Sequence, residues 1–180
     1  VIGNPVFSPD SRHVAITSAF VPEDIAVVHD GREGRHYRDI AGPPIYSLNG
    51  TAPAYAASDG AGWFVVADGD EGPSYDWLKD INFSPDGRRL AYAAVSGDRW
   101  RVVIDGVEGP MFDSMSGPLF SDDSRHVAYT AGRGDHWFLV IDGEESDPYR
   151  GFLGRRTHYD GATGVFRLVA LAADRVVVPC

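Results

Sequence analysis

The sequence predicts an all-β protein, a β-propeller of about five short four-stranded antiparallel blades whose last blade is incomplete. Three observations predict it. The first is a repeat: Phe83-Ser84-Pro85-Asp86-Gly87-Arg88-Arg89-Leu90-Ala91-Tyr92 lies over Phe120-Ser121-Asp122-Asp123-Ser124-Arg125-His126-Val127-Ala128-Tyr129, every position 37 residues apart. Tyr46 to Tyr55 is a weaker copy, Phe7 to Ile16 is another, and Asp160-Gly161 stands two periods beyond Asp86-Gly87. The second is a column of turns, Asp30-Gly31, Asp68-Gly69, Asp105-Gly106 and Asp142-Gly143, each closing an apolar run. The third is a pair of aromatic columns in the same phase: Trp63, Trp100 and Trp137, and Tyr37, Tyr75, Phe112 and Tyr149. A period between 20 and 50 residues marks a solenoid, a propeller or an array.

The elements of one unit follow in order from Pro118. A short apolar piece, Pro118 to Phe120, leads through turn residues Ser121 to Ser124 into the β-rich run Val127 to Thr130. A second turn, Gly132 to Asp135, leads into Trp137 to Ile141, and Asp142-Gly143 turns the chain toward a last extended piece near Tyr149. β-branched and aromatic runs bounded by Gly, Pro, Asp and Ser read as strands. Asp-Gly between two such runs reads as a hairpin, because the turn needs positive φ. No amphipathic helical stretch of useful length is present, so each unit reads as a four-stranded meander. Solenoid coils are shorter and need no hairpins. Propeller blades have this strand count and this length, and stacked sheets bury faces that one sheet cannot bury alone. The aromatic columns then read as core between blades.

The units fall at about 5–43, 44–80, 81–117, 118–154 and 155–180, all within a single domain. The last lacks its outermost strand, and no N-terminal segment offers an obvious replacement. Either the chain is a compact ring with one incomplete blade or it is a segment of a longer propeller; the absence of an initiator Met agrees with processing or truncation. An unpaired edge also invites another chain to add a strand.

The run Phe83 to Ala94 resembles the blade signature of TolB-type, WD-like propeller repeats, as do Phe120 to Ala131, Phe7 to Thr17 and, more loosely, Tyr46 to Ala57. The resemblance implies the propeller fold, and a bacterial periplasmic or extracellular setting. The same signature marks the propeller domain of the prolyl oligopeptidase family. These are turn and packing residues, so the resemblance carries fold and not activity.

The 180 residues hold 43% hydrophobic residues and no run long enough to span a membrane. No charged n-region with an apolar segment is visible before the repeats, and in a chain without an initiator Met that carries little weight. The single cysteine, Cys180, excludes an internal disulfide framework and a cysteine metal cluster. A formal charge of −10 argues against nucleic acid. Acidity serves solubility or attraction to a basic partner.

No Gly-x-Ser-x-Gly elbow occurs, so the chain has no hydrolase half. Asp10, Asp86, Asp123 and Asp160 recur in phase and read as turn formers rather than a catalytic carboxylate pair. His13 and His126 share the slot that Arg89 fills elsewhere. His29, Asp30 and His36 are near enough in sequence to suggest a metal trio, but they read as solvated turn residues, and no zinc-site spacing is present. Arg133-Gly134-Asp135 falls on a hairpin tip, and Asn49-Gly50-Thr51 fits a glycosylation acceptor in a turn. No cofactor, metal or catalytic residue is expected.

The departures from the repeat carry the functional expectation. Ser18 to Asp24 reads as a long connection unlike those of the other units, Arg32 to Arg38 gathers local positive charge, and Tyr149 to Arg156 mixes aromatics with arginines. Arg beside Tyr and Phe is the composition of an interaction surface, although ordinary loop variation gives it too. The candidate partner-binding residues are Phe20, Glu23, Arg35, Tyr149, Arg150, Phe152, Arg155 and Arg156. The expected function is a non-catalytic scaffold binding a protein or peptide, or a second copy of itself. The alternatives are a self-assembling subunit joined through the incomplete blade, and a carbohydrate-binding or hydrolase-associated propeller.

Overall fold

The computed structural model describes residues 3–50, 52–160, 165–171 and 176–177, with side chains through residue 150. The first sheet holds β1 (Val6–Phe7), β2 (Val14–Val21), β3 (Asp24–His29) and β4 (Arg32–Tyr37). The second holds β5 (Asp39–Tyr46), β6 (Pro53–Ser58), β7 (Trp63–Ala67) and β8 (Asp70–Glu71). The third holds β9 (Trp77–Phe83), β10 (Leu90–Ser96), β11 (Arg99–Ile104) and β12 (Val107–Glu108). In the fourth, β13 (Ser114–Met115) and β14 (Leu119–Phe120) share the edge of β15 (Val127–Arg133), followed by β16 (His136–Ile141) and β17 (Glu144–Glu145). The fifth holds β18 (Gly151–Asp160), β19 (Val165–Leu171) and β20 (Val176–Val177), three strands among the described residues. Every sheet is an antiparallel meander, and every described element is β. Among the described residues the fold is a propeller of four-stranded blades, the inner strand of the fourth split into β13 and β14, with three strands in the fifth.

Two readings shift. The innermost strands start at Asp39 and Trp77, ahead of the unit boundaries at 44 and 81, because a bulge splits each apolar pattern. Gly42 and Asp80 stand in these strands at φ 72° and 54°, breaking the alternation that marks a strand in sequence. The segment Ser18 to Asp24 is no long connection: β2 runs on to Val21, a two-residue turn at Pro22-Glu23 follows, and Val21 pairs with Asp24.

The core lies between blades, as the aromatic columns imply. Val27 and Tyr37 of the first blade pack with Tyr55, Phe64 and Val66 of the second. Val65 and Tyr75 pack with Leu78, Tyr92 and Val103 of the third. Val102 and Phe112 pack with Tyr129 and Val140 of the fourth. The contacts keep the period: Tyr37 meets Tyr55, Tyr75 meets Tyr92 and Phe112 meets Tyr129 edge to face, at centroid distances of 6.2, 6.2 and 6.3 Å. Trp63, Trp100 and Trp137 are half-buried and bridge in antiparallel fashion to Tyr75, Phe112 and Tyr149.

Candidate functional site

The signature residues are fully employed in holding turns. Ser8, Ser84 and Ser121 are buried, and each hydroxyl donates to Asp10, Asp86 or Asp123 at 2.6, 2.6 and 2.5 Å. The same oxygens accept the backbone N–H groups of His13, Arg89 and His126. The Asp-Gly column adds a second clamp. Asp30, Asp105 and Asp142 accept the N–H groups of Val14, Leu90 and Val127 on one carboxylate oxygen. The other oxygen pairs with His13, Arg89 or His126. Either cation type fills this slot, so its in-phase recurrence is architectural.

A pH prediction follows. The serine hydroxyl first, then a backbone N–H two residues on, hold Asp10, Asp86 and Asp123 below the usual carboxylate range of 3.8. A carboxylate depressed in the folded state contributes stability present above the unfolded value and lost as pH falls through the folded one. Unfolding monitored from neutrality downward should show the loss below about pH 3.8, with Ser84→Ala raising the Asp86 titration in an NMR experiment. Stability flat through that window would contradict the clamp.

Two sequence motifs are absorbed by packing. Arg133 of the Arg-Gly-Asp tripeptide is held by Glu145 at 2.9 Å and lies over the Phe112 ring at 4.8 Å, so the hairpin tip does not present it freely. Asn49 donates Nδ2 to the Asp86 carbonyl of the next blade at 2.6 Å; Thr51 lies outside the described residues.

What departs from the repeat is the outer edge of the first blade. β4 is a ladder of six residues, whereas the outermost strands β8, β12 and β17 have two each. Proline explains the difference. Pro73, Pro110 and Pro148 fall one or two residues before the column aromatic in the other three blades, where they interrupt pairing. The first blade has Arg35-His36-Tyr37 there and keeps pairing up to Tyr37 against Ile25. The missing proline was a signal in the sequence that the composition of the loop concealed.

Phe20 and Val21, at the end of β2, are 48% and 59% exposed. The Phe20 ring stacks on His36 at 5.1 Å. His36 sits between two carboxylates, Asp24 at 2.6 Å and Glu33 at 2.5 Å, and hydrogen bonds to them, Asp24 first, raise its pKa above 6.5. Glu23 pairs with Arg38 at 2.9 Å, and Arg35 reaches across to Glu71 of the second blade at 2.7 Å. Of the expected residues, Phe20 stacks on His36 beside Asp24 and Glu33, Glu23 pairs with Arg38, and Arg35 pairs with Glu71; Asp24, Glu33, His36 and Arg38 are not in the candidate set. Tyr149 is half-buried and bridges Trp137, the same place that Tyr75 and Phe112 hold, while Arg150 is exposed. The side chains of Phe152, Arg155 and Arg156 lie outside the described residues.

The suggested trio of His29, Asp30 and His36 is parted, since His36 stands beside Asp24 on a different stretch of the sheet. His13 takes its place. One ligand atom from each of His13, His29 and Asp30 lies within 4.8 Å of the others. The Tyr46 ring of the second blade stands 6.0 Å from that of His29. Burial, then the negative charge of Asp30, pushes the Tyr46 phenol up to about 12.

No family model and no curated protein matches the chain. Solved structures match its fold. TolB from Acinetobacter baumannii is similar with a TM-score of 0.50 and 14% identity, over 97% of this chain and 52% of that one. The β-propeller domain of the Trilobed protease from Pyrococcus furiosus, described as an open velcro topology, gives 0.53 and 12% over 97% and 70%. Hydrazine synthase from Kuenenia stuttgartiensis gives 0.48 and 14% over 92% and 54%. The chain thus spans about half the length of the TolB chain it matches. The first two likenesses, with the four-stranded blades, establish a TolB-like β-propeller fold. Among the described residues no helix is long and apolar enough to cross a membrane.

Proposed function

We propose that the chain is a non-catalytic propeller scaffold that binds a protein or peptide along the outer edge of its first blade. The observation that carries this reading is the six-residue strand β4, paired with β3 on both sides of a bulge opposite Val27, with exposed Phe20 stacked on its His36. An edge strand offers a row of unpaired N–H and C=O groups, and an extended peptide adds to it through main-chain hydrogen bonds. Arg32, Glu33 and Arg35 guard the edge against unselective pairing, and they favour a partner that alternates charge in the opposite sense. Phe20 supplies an aromatic anchor beside the strand. The same edge accepts a second copy of the chain, which would make the scaffold self-associating.

The test uses peptides selected from a displayed random library on the whole chain. Arg35→Pro copies the residue at the equivalent place in the second and third blades, so the fold tolerates it while the ladder breaks. The variant should lose affinity for the selected peptides about tenfold or more, as should Phe20→Ala. Equal binding by Arg35→Pro would overturn the reading. Sedimentation of the protein alone distinguishes the partners: association abolished by Arg35→Pro points to a second copy, and a monomer that binds peptide points to a foreign one.

A further inference from the structure

We infer that the first blade holds a divalent transition-metal ion of the zinc class between His13, His29 and Asp30, beneath the Tyr46 hydroxyl. Two imidazoles and a carboxylate are a donor set that suits zinc and its neighbours rather than calcium or magnesium. This blade has groups that the others lack. The pairing of His13 with Asp30 recurs as Arg89 with Asp105 and as His126 with Asp142, so that pair alone is part of the turn. His29 does not recur: Ala67, Ile104 and Ile141 occupy its place before the Asp-Gly turns. Tyr46 does not recur either, since Phe83 and Phe120 stand one and two periods on. In the third blade the equivalent contact is apolar, Ile104 against Phe120. At the junction of the first and second blades both members of that pair are metal-competent groups, His29 and Tyr46.

These two substitutions leave polar atoms with nothing to bond. His29 Nε2 and the Tyr46 hydroxyl are both sealed from solvent and without a hydrogen-bond partner. Leaving such groups unmatched is costly, and the other blades avoid the cost with alanine or isoleucine at the one place and phenylalanine at the other. His29 Nε2 lies 3.5 Å from Asp30 Oδ2, and His13 Nδ1 lies 2.6 Å from the same oxygen. Ligands about 2.1 Å from a tetrahedral ion stand roughly 3.4 Å apart, so the first pair is already spaced and the second opens by less than an ångström. The ion takes the position between His13 and Asp30, and the proton they share leaves to solvent. Tyr46 supplies a fourth donor or orients a bound water. The cluster of Asp24, His36 and Glu33 differs, because its two carboxylates meet opposite nitrogens of the one imidazole and so do not face a common ion.

The test is a zinc titration by calorimetry, and a cobalt titration by absorption, on the whole chain carrying no polyhistidine tag. One zinc ion should bind per chain with a dissociation constant of about 10 µM or tighter, and cobalt should give the intense visible bands of tetrahedral coordination. Zinc should also raise the melting temperature. His29→Ile installs the residue that the third and fourth blades carry, so it should fold normally, and it should weaken zinc at least tenfold and abolish the zinc-dependent rise in melting. Tyr46→Phe, likewise copied from the repeat, should keep the site with altered cobalt bands. His126→Ala, which removes a histidine from a pair without a third ligand, should leave the zinc affinity unchanged. No binding up to about 1 mM zinc, or equal affinity in His29→Ile and the unaltered chain, overturns the inference.

Discussion

Replacing Phe112 with alanine is expected to destabilise the protein by about 3–5 kcal/mol, the usual cost of emptying a large aromatic site in a packed core. Phe112 is 0% exposed and lies where the third blade meets the fourth. Its ring meets Tyr129 edge to face and carries the Arg133 guanidinium at 4.8 Å. Its backbone exchanges two hydrogen bonds with Trp100 at 2.7 and 2.8 Å, so the chain around the cavity cannot readily collapse. The burial it provides serves two sheets at once, which is how a four-stranded blade with little core of its own is held. Val107→Ala, at a residue 72% exposed on a neighbouring edge, should by contrast change stability by less than about 0.5 kcal/mol. Chemical denaturation of the two variants beside the parent chain checks both figures.

The second large effect lies in a turn. Asp105→Ala should cost about 2–3 kcal/mol, more than surface position suggests. Asp105 stands at φ 52° and Gly106 at 79°, the paired positive values of a hairpin turn that matches strand twist. Alanine resists that conformation by about 1–2 kcal/mol, where aspartate and asparagine are better tolerated. Its carboxylate also accepts the Leu90 N–H and the Arg89 Nε–H, both at 2.9 Å, and tethers the start of β10 to the end of β11. Asp105→Asn keeps the turn conformation and the acceptor for Leu90, so it should lose roughly a third as much. If alanine and asparagine cost the same, the conformational part of this account is wrong.

Much of this architecture is legible in the sequence because the forces that build it are local and periodic. Asp-Gly announces a turn through its own dihedral preferences, and Ser84 finds Asp86 two residues away. The interblade aromatics are legible because identical neighbours recur at each period. Two kinds of feature escape. The extra length of the innermost strands is hidden where Gly42 and Asp80 break the alternation of β5 and β9. The clusters of the first blade are hidden because they join residues far apart in the chain. His13 reaches Asp30 across two strands, and His29 meets Tyr46 across a blade interface. His36 joins Asp24 rather than His29 and Asp30, because pairing of Ala26 with His36 sets it beside the β2–β3 turn. The comparison that exposes them is between blades at one register position: proline against Arg35, isoleucine against His29, phenylalanine against Tyr46.

His36 should make the proposed edge sensitive to pH. A histidine raised above 6.5 by its partners contributes stability that is present below that value and lost as pH rises through the higher folded one. The stack of Phe20 on His36 and the bracket of Asp24 and Glu33 should loosen together on the alkaline side, and peptide affinity with them. The His36 ring resonances, followed by NMR against pH, report this directly.

The claim at the centre of the account is that the outer edge of the first blade is the surface on which a partner is added as a strand. Hydrogen exchange of the amides of residues 32–37, with and without a selected peptide, tests it most directly. Alternate amides along β4 should slow by about tenfold or more when peptide is bound, while the two-residue edges β8, β12 and β17 stay unchanged. Bound peptide that leaves β4 exchange untouched, or protects the other blades instead, would contradict it.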